Sequence, residues 1–78
     1  MLNIMTVEKQ ILVRFGKKVR KCRIELGISQ EELAVRAGFH RTYIGMIERA
    51  EKNITLESIE KVCKALNISL SDFFRDFE

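Results

Sequence analysis

Arg41, Thr42, Tyr43 and Met46 lie close together in the run HRTYIGMIER, and each carries a side chain suited to the edge of a base pair. A guanidinium can donate two parallel hydrogen bonds to O6 and N7 of guanine, a threonine can meet a thymine methyl or a base edge, and a methionine can pack on a thymine methyl. A phenol reaches phosphate or sugar. Ile44 and Ile47 interrupt these residues at helical spacing. If the isoleucines face inward, the opposite side carries Thr42, Gly45, Met46 and Arg49, with Arg41 and Tyr43 flanking its N-terminal end. Gly45 omits a side chain where a helix would otherwise stand off from the bases. Isolated arginines and methionines are ordinarily solvated or partly buried. Their gathering on one short helix, opposite two isoleucines, argues for a face that reads DNA.

Such a face needs a scaffold, and the chain supplies an all-α one of five helices. Proline is absent, so the punctuation falls on Gly16, Gly27, Gly38 and Gly45. From Thr6 to Leu26, the residues Leu12, Phe15, Val19, Cys22 and Leu26 fall within about 80° of one another, the apolar stripe of a first helix. A second helix opens at Ser29, where Ser29 and Glu32 have capping-box spacing. It buries Leu33, Ala34 and Ala37 and stops at Gly38. The third begins at His40 or Arg41, with Ile44 and Ile47 inward and His40 as cap or phosphate neighbour. The fourth runs from Thr55 with Leu56, Ile59, Val62, Cys63 and Leu66, and Asn67 stops it. A last short helix starts at Ser69 and carries Leu70, Phe73, Phe74 and Phe77. Thr6 and Ser69 are expected caps. Two short helices joined by about three residues, with a glycine in the turn and the small Ala34 one turn before it, form a helix-turn-helix. That arrangement holds its second helix proud enough to enter a major groove.

Charge placement agrees. Up to Asn53 there are eleven basic and six acidic residues, and beyond it three basic and five acidic. Arg14, Lys17, Lys18 and Lys21 share one face of the first helix, roughly 130° from its apolar stripe; such a face is as readily a solvated surface as a phosphate contact. Stronger backbone candidates are Gln30, where free N–H groups favour an anion, and Lys52, Asn53 and Thr55 after the third helix.

Length and composition exclude other classes. Seventy-eight residues with a net charge of +3 make one small domain, residues 6–78, after a short N-terminus, residues 1–5, expected to be disordered. So short a chain has little volume for a catalytic cleft, and no metal-ligand spacing, carboxylate pair or phosphate loop stands out. Neither enzymatic activity nor a cofactor is expected. Cys22 and Cys63 sit on apolar stripes as small hydrophobes, reduced in a cytoplasmic setting. The opening MLNIMTVEKQ has no charge pattern of a secretory leader, and no run is long and apolar enough to span a membrane.

The run RIELGISQEELAVRAGFHRTYIGMIERAEKNITLESIEKVCKALNISLSDFF resembles the lambda-repressor/Cro-like helix-turn-helix family, over about residues 11–77. More narrowly, HRTYIGMIER followed by KNIT is similar to the controller proteins of bacterial restriction-modification systems, small homodimeric transcription regulators. The resemblance implies that Arg41, Thr42, Tyr43 and Met46 address DNA bases and that Gln30, Lys52, Asn53 and Thr55 address its backbone. It further implies a structural ion pair between Arg23 and Glu48, dimerisation through the last two helices (about residues 55–77), and contact of Glu31 with RNA polymerase. Ala50 stands where many relatives carry glycine. Independently, Ile68, Leu70, Phe73, Phe74 and Phe77 exceed what one small core can bury, which suggests a patch covered by a second copy. A symmetric dimer would meet near-palindromic half-sites about 34 Å apart, and the resemblance to controller proteins implies that two dimers fill adjacent sites. The competing readings are a phage-type repressor or an antitoxin on the same scaffold, and a protein-interaction module that does not bind DNA.

Overall fold

The computed structural model describes residues 4–77, with side chains from Gln10 to Phe77, and its described residues form five helices and no strand. They are α1 (Ile4–Glu25), α2 (Gln30–Ala37), α3 (Arg41–Glu48), α4 (Leu56–Ala65) and α5 (Leu70–Phe73). The first helix begins earlier than its apolar pattern suggests. The helix spans Ile4–Glu25, so Thr6 falls within it rather than at the N-cap position; residues 1–3 lie outside the described residues.

The caps explain the remaining boundaries. Ser29, Thr55 and Ser69 each accept a hydrogen bond from the backbone N–H three residues on, satisfying a donor that the first helical turn leaves without a partner. At Ser29 only half of the expected capping box forms, because Glu32 turns away to pair with Arg36 at 3.1 Å. Four helices close in one way. The residues Gly27, Gly38, Ala50 and Asn67 all take positive φ, between 59° and 78°. In each case the next residue's N–H bonds a carbonyl five positions back, as from Phe39 to Ala34 and from Glu51 to Met46. This is the Schellman turn, which redirects the chain sharply while satisfying the last free carbonyls.

Phe15, Val19, Leu33, Ala34, Ala37, Ile44, Ile47, Val62, Cys63, Ala65, Leu66 and Phe73 form the core. Helix α3 packs against both α1 and α2, and α4 against α2 and α5. Two residues of the apolar stripes expected for the first and fourth helices are exposed. Leu26 follows the end of α1 and is exposed, and Leu56, in the first turn of α4, is 84% exposed. Burial pushes the Cys63 thiol up to about 11, in keeping with a cysteine that serves as a small hydrophobe.

Gly16 is not punctuation. It lies in mid-helix where α1 meets the end of α3, and a Cβ there would overlap the Ile47 carbonyl oxygen and lie 2.9 Å from that of Glu48. The contact is backbone against backbone, so glycine is required by approach rather than by φ.

The C-terminal aromatics divide between inside and outside. Phe73 is fully buried, 5.2 Å from the Phe15 ring, and so belongs to the core of the single chain rather than to a surface awaiting a second copy. Phe77 is half-buried beneath the Arg14 guanidinium, and Ile68 is half-buried against the core. Leu70 is exposed and Phe74 half-buried against the core, and with Leu56, Ile59, Glu57 and Glu60 they line an apolar hollow of about 450 Å³ between α4 and α5. The last helix is shorter than expected, because the chain leaves it after Phe73 through a turn.

Candidate nucleic-acid interface

Three contacts fix the position of α3. Ile44 and Ile47 are buried against the core, Gly16 admits the Ile47 and Glu48 carbonyls, and Glu48 closes the far end through an ion pair. Arg23 donates from Nε to Glu48 Oε2 at 2.7 Å and from Nη2 to Oε1 at 3.1 Å, and its Nη1 donates to the Ile28 carbonyl at 2.9 Å. Both side chains are nearly inaccessible, so the pair is strong through its geometry and its full set of partners. Gln30 joins it, donating from Nε2 to Glu48 Oε1 at 3.1 Å. The Gln30 amide, expected to face a phosphate, is thus partly committed inside the protein.

The other side of α3 is open. Arg41 and Thr42 are exposed at its first turn, while Tyr43 and Met46 are half-buried on its flanks. His40 is the N-cap: its Nδ1 accepts from the Thr42 N–H at 3.1 Å. That bond leaves the proton of the neutral ring on Nε2, a donor at the tip of the helix. The Tyr43 ring rests 4.7 Å from that of Phe39, a residue the sequence pattern does not mark, and the Lys61 ammonium lies 5.7 Å from the Phe39 ring centre. Phe39 follows Gly38 in the turn, so the turn itself braces Tyr43. Gly45 does not stand bare. The Arg49 guanidinium folds back over it, with Nη1 3.0 Å from where a Cβ would lie, and Arg49 Nε donates to Glu51 Oε2 at 3.0 Å.

Around this face, Lys52 and Asn53 are exposed in the loop after α3. Thr55, expected to meet the DNA backbone, is committed as the N-cap of α4: its hydroxyl accepts from the Ser58 N–H and donates to Ser58 Oγ, both at 3.1 Å. Glu31 is exposed at the start of α2, and its carboxylate lies 4.0 Å from Arg41 Nη1. The basic residues of α1 lie partly elsewhere. Arg14, Lys17, Lys18 and Lys21 line a shallow basin of about 290 Å³ with Asp76 and Phe77, and Lys18 is 3.9 Å from Asp76. Among the described residues no group of His, Cys, Asp and Glu is placed to hold a metal ion, and no helix is long and apolar enough to cross a membrane.

A short helix held proud on two others, polar and basic outward and tied at its base, defines a helix-turn-helix domain. A family model described as helix-turn-helix matches residues 19–73. The control protein C.BamHI of Bacillus amyloliquefaciens is 46% identical over 63 residues, which cover 80% of this chain and 78% of that protein. Among solved structures, the restriction-modification controller protein C.AhdI from Aeromonas hydrophila superposes with a TM-score of 0.80 at 39% identity, over 85% of this chain and 96% of that one. The controller C.Esp1396I, solved as a tetramer in complex with its natural 35 base-pair operator, gives 0.79 at 39% identity, over 82% and 84% of the two chains. The chain belongs to the helix-turn-helix family and, within it, to the control proteins of restriction-modification systems.

Proposed function

We propose that the chain is a homodimeric, sequence-specific transcription regulator in the bacterial cytoplasm, and that it controls its own gene and that of a restriction endonuclease. The observation that carries this reading is the exposed first turn of α3, with Arg41 and Thr42 free to enter a major groove while the opposite side of the helix is locked to α1. Arg41, Thr42, Tyr43 and Met46 then read bases, and Lys52 and Asn53 hold phosphates. Gln30 and Thr55 contribute at the backbone through the N–H groups of their helix starts, since their side chains are engaged internally.

Dimerisation is proposed through the hollow lined by Leu56, Ile59, Leu70 and Phe74, a contiguous apolar surface of the kind that a second copy covers. The tetramer of C.Esp1396I on its operator supports two dimers on adjacent sites here. Regulation by DNA occupancy requires neither catalysis nor a cofactor. Glu31 stays the candidate for touching RNA polymerase; promoter activation that is unchanged in Glu31→Gln, with DNA affinity intact, would remove that role.

The test is selection of bound duplexes from a randomised library at two salt concentrations, since affinity without its salt has little meaning. The expected product is a near-palindrome with half-site centres about 10 bp apart. On it, Arg41→Ala loses about 1–3 kcal/mol with little change on random DNA, whereas Lys52→Ala weakens both. No enriched sequence, with binding that only fades as salt rises, would instead favour an interaction module.

A further inference from the structure

We infer that Arg49 is a base-reading residue and that Glu51 is the residue that positions it. The inference rests on the reading of α3 as a recognition helix and gives its face a guanidinium whose orientation is biased before DNA arrives. Three observations converge. Arg49 is the C-cap of α3, yet its side chain runs back toward the N-terminus and covers Gly45, one turn earlier on the outward side. Gly45 leaves the space that the guanidinium occupies, since a Cβ there would stand 3.0 Å from Nη1 and displace it slightly. Glu51 engages only Nε, leaving Nη1 and Nη2 as the two donors that can fork to O6 and N7 of guanine.

The pair differs from the one at the other end of the helix. Arg41 and Glu31 approach to 4.0 Å, too far for a hydrogen bond, so Arg41 is free to search. Arg49 is biased toward one orientation by a charge-assisted bond, which lessens the ordering left for binding to impose. The hydrogen bond raises the Arg49 pKa and holds the Glu51 carboxyl below the usual carboxylate range, so both stay charged through neutral pH. A carboxylate beside the guanidinium also offsets its attraction for phosphates. Without it, Arg49 would turn to the nearest phosphate on any sequence. Glu51 therefore favours the base edge over the backbone, a discrimination built by opposing the wrong partner as well as serving the right one.

The experiment uses the duplex that the full-length protein enriches, together with versions in which each base pair is exchanged in turn. Affinities are measured at several salt concentrations for the wild type, Arg49→Ala, Glu51→Gln, Gly45→Ala and the Arg49→Ala/Glu51→Gln double variant, with circular dichroism melts to verify folding. Arg49→Ala is expected to lose about tenfold discrimination at one G·C position. Glu51→Gln should lose about threefold at the same position while binding random DNA more tightly, with a salt dependence steeper by up to about one phosphate. Gly45→Ala should weaken that position too. In the double variant, Glu51→Gln should add nothing there. A Glu51→Gln protein that gains affinity on every duplex alike, with each position's discrimination intact, would overturn the positioning role; Arg49→Ala without effect at any position would overturn the reading role. Failure of the wild type to enrich any sequence would be a failure of the parent reading, which is a different result.

Discussion

The two sides of α3 use the same pair of residue types for opposite ends. On the inner side, Arg23 and Glu48 meet in a two-pronged contact shielded from water, with Gln30 and the Ile28 carbonyl taking up further hydrogen-bonding capacity. On the outer side, Arg41 faces Glu31 and Arg49 faces Glu51, with every one of these side chains more than half exposed. A buried pair cannot lose one member without stranding a charge, so it behaves as a fixture. An exposed pair exchanges partners at little expense, because water screens what is lost. The helix is thus anchored by one arginine and presents two others.

Breaking the inner side should have the largest consequence. Arg23→Ala leaves the Glu48 carboxylate buried with only Gln30, and a loss of about 3–5 kcal/mol in unfolding free energy is expected from urea titration. Arg23→Lys should recover only part of that, because an ammonium cannot make the two-pronged contact. Gly16→Ala comes next. The added methyl meets backbone that has no rotamer to escape into, so a loss of about 1–3 kcal/mol is expected despite alanine's better helix propensity, together with weaker binding to the selected duplex as α3 is displaced. Ala50 lies between Glu48 and Glu51, where the two sides meet, with φ of 59°. Ala50→Gly relieves that conformation and should stabilise the fold by about 1 kcal/mol in the same titration. Least of all, Arg49→Ala should leave the melting temperature where it was, while altering DNA discrimination. A drop in melting temperature like that of Arg23→Ala would mean that the outer pair is structural as well, and the contrast would vanish.

What the sequence makes legible follows how local each determinant is. Ser29, Gly38 and Ser69 act on their own turns, and their roles can be read from spacing alone; so can the inward Ile44 and Ile47. Gly16 cannot be read this way, because a glycine inside a helix looks like a break until the partner backbone is in place. Asn67 is recognisable as a stop, but Ala50 in the left-handed region is not, since nothing local prefers it there. The aromatic tail misleads for a similar reason: Phe73 and Phe74 are neighbours and both meet Phe15, yet one is fully buried and the other half-buried at the edge of the core. Gln30 and Thr55 carry side chains fit for phosphate, and the structure spends them on Glu48 and on a cap. In the recognition face itself, what eluded the sequence was side-chain direction between residues one turn apart, since spacing gives nearness but not the rotamer taken: Phe39 beneath Tyr43, and Arg49 folded over Gly45.

The close fit of α1 to α3 at Gly16 has a consequence for how such proteins diversify. Because the seat of the helix consists of main-chain oxygens, two isoleucines, Glu48 and Tyr43 on Phe39, the side chains of Arg41, Thr42, Met46 and Arg49 take no part in it. Arg41, Thr42, Met46 and Arg49 can be rewritten without renegotiating the docking of the helix that bears them. A new operator is then reachable by single substitutions on a preserved chassis, and a library randomised at those four positions should yield folded proteins with altered targets far more often than collapsed ones.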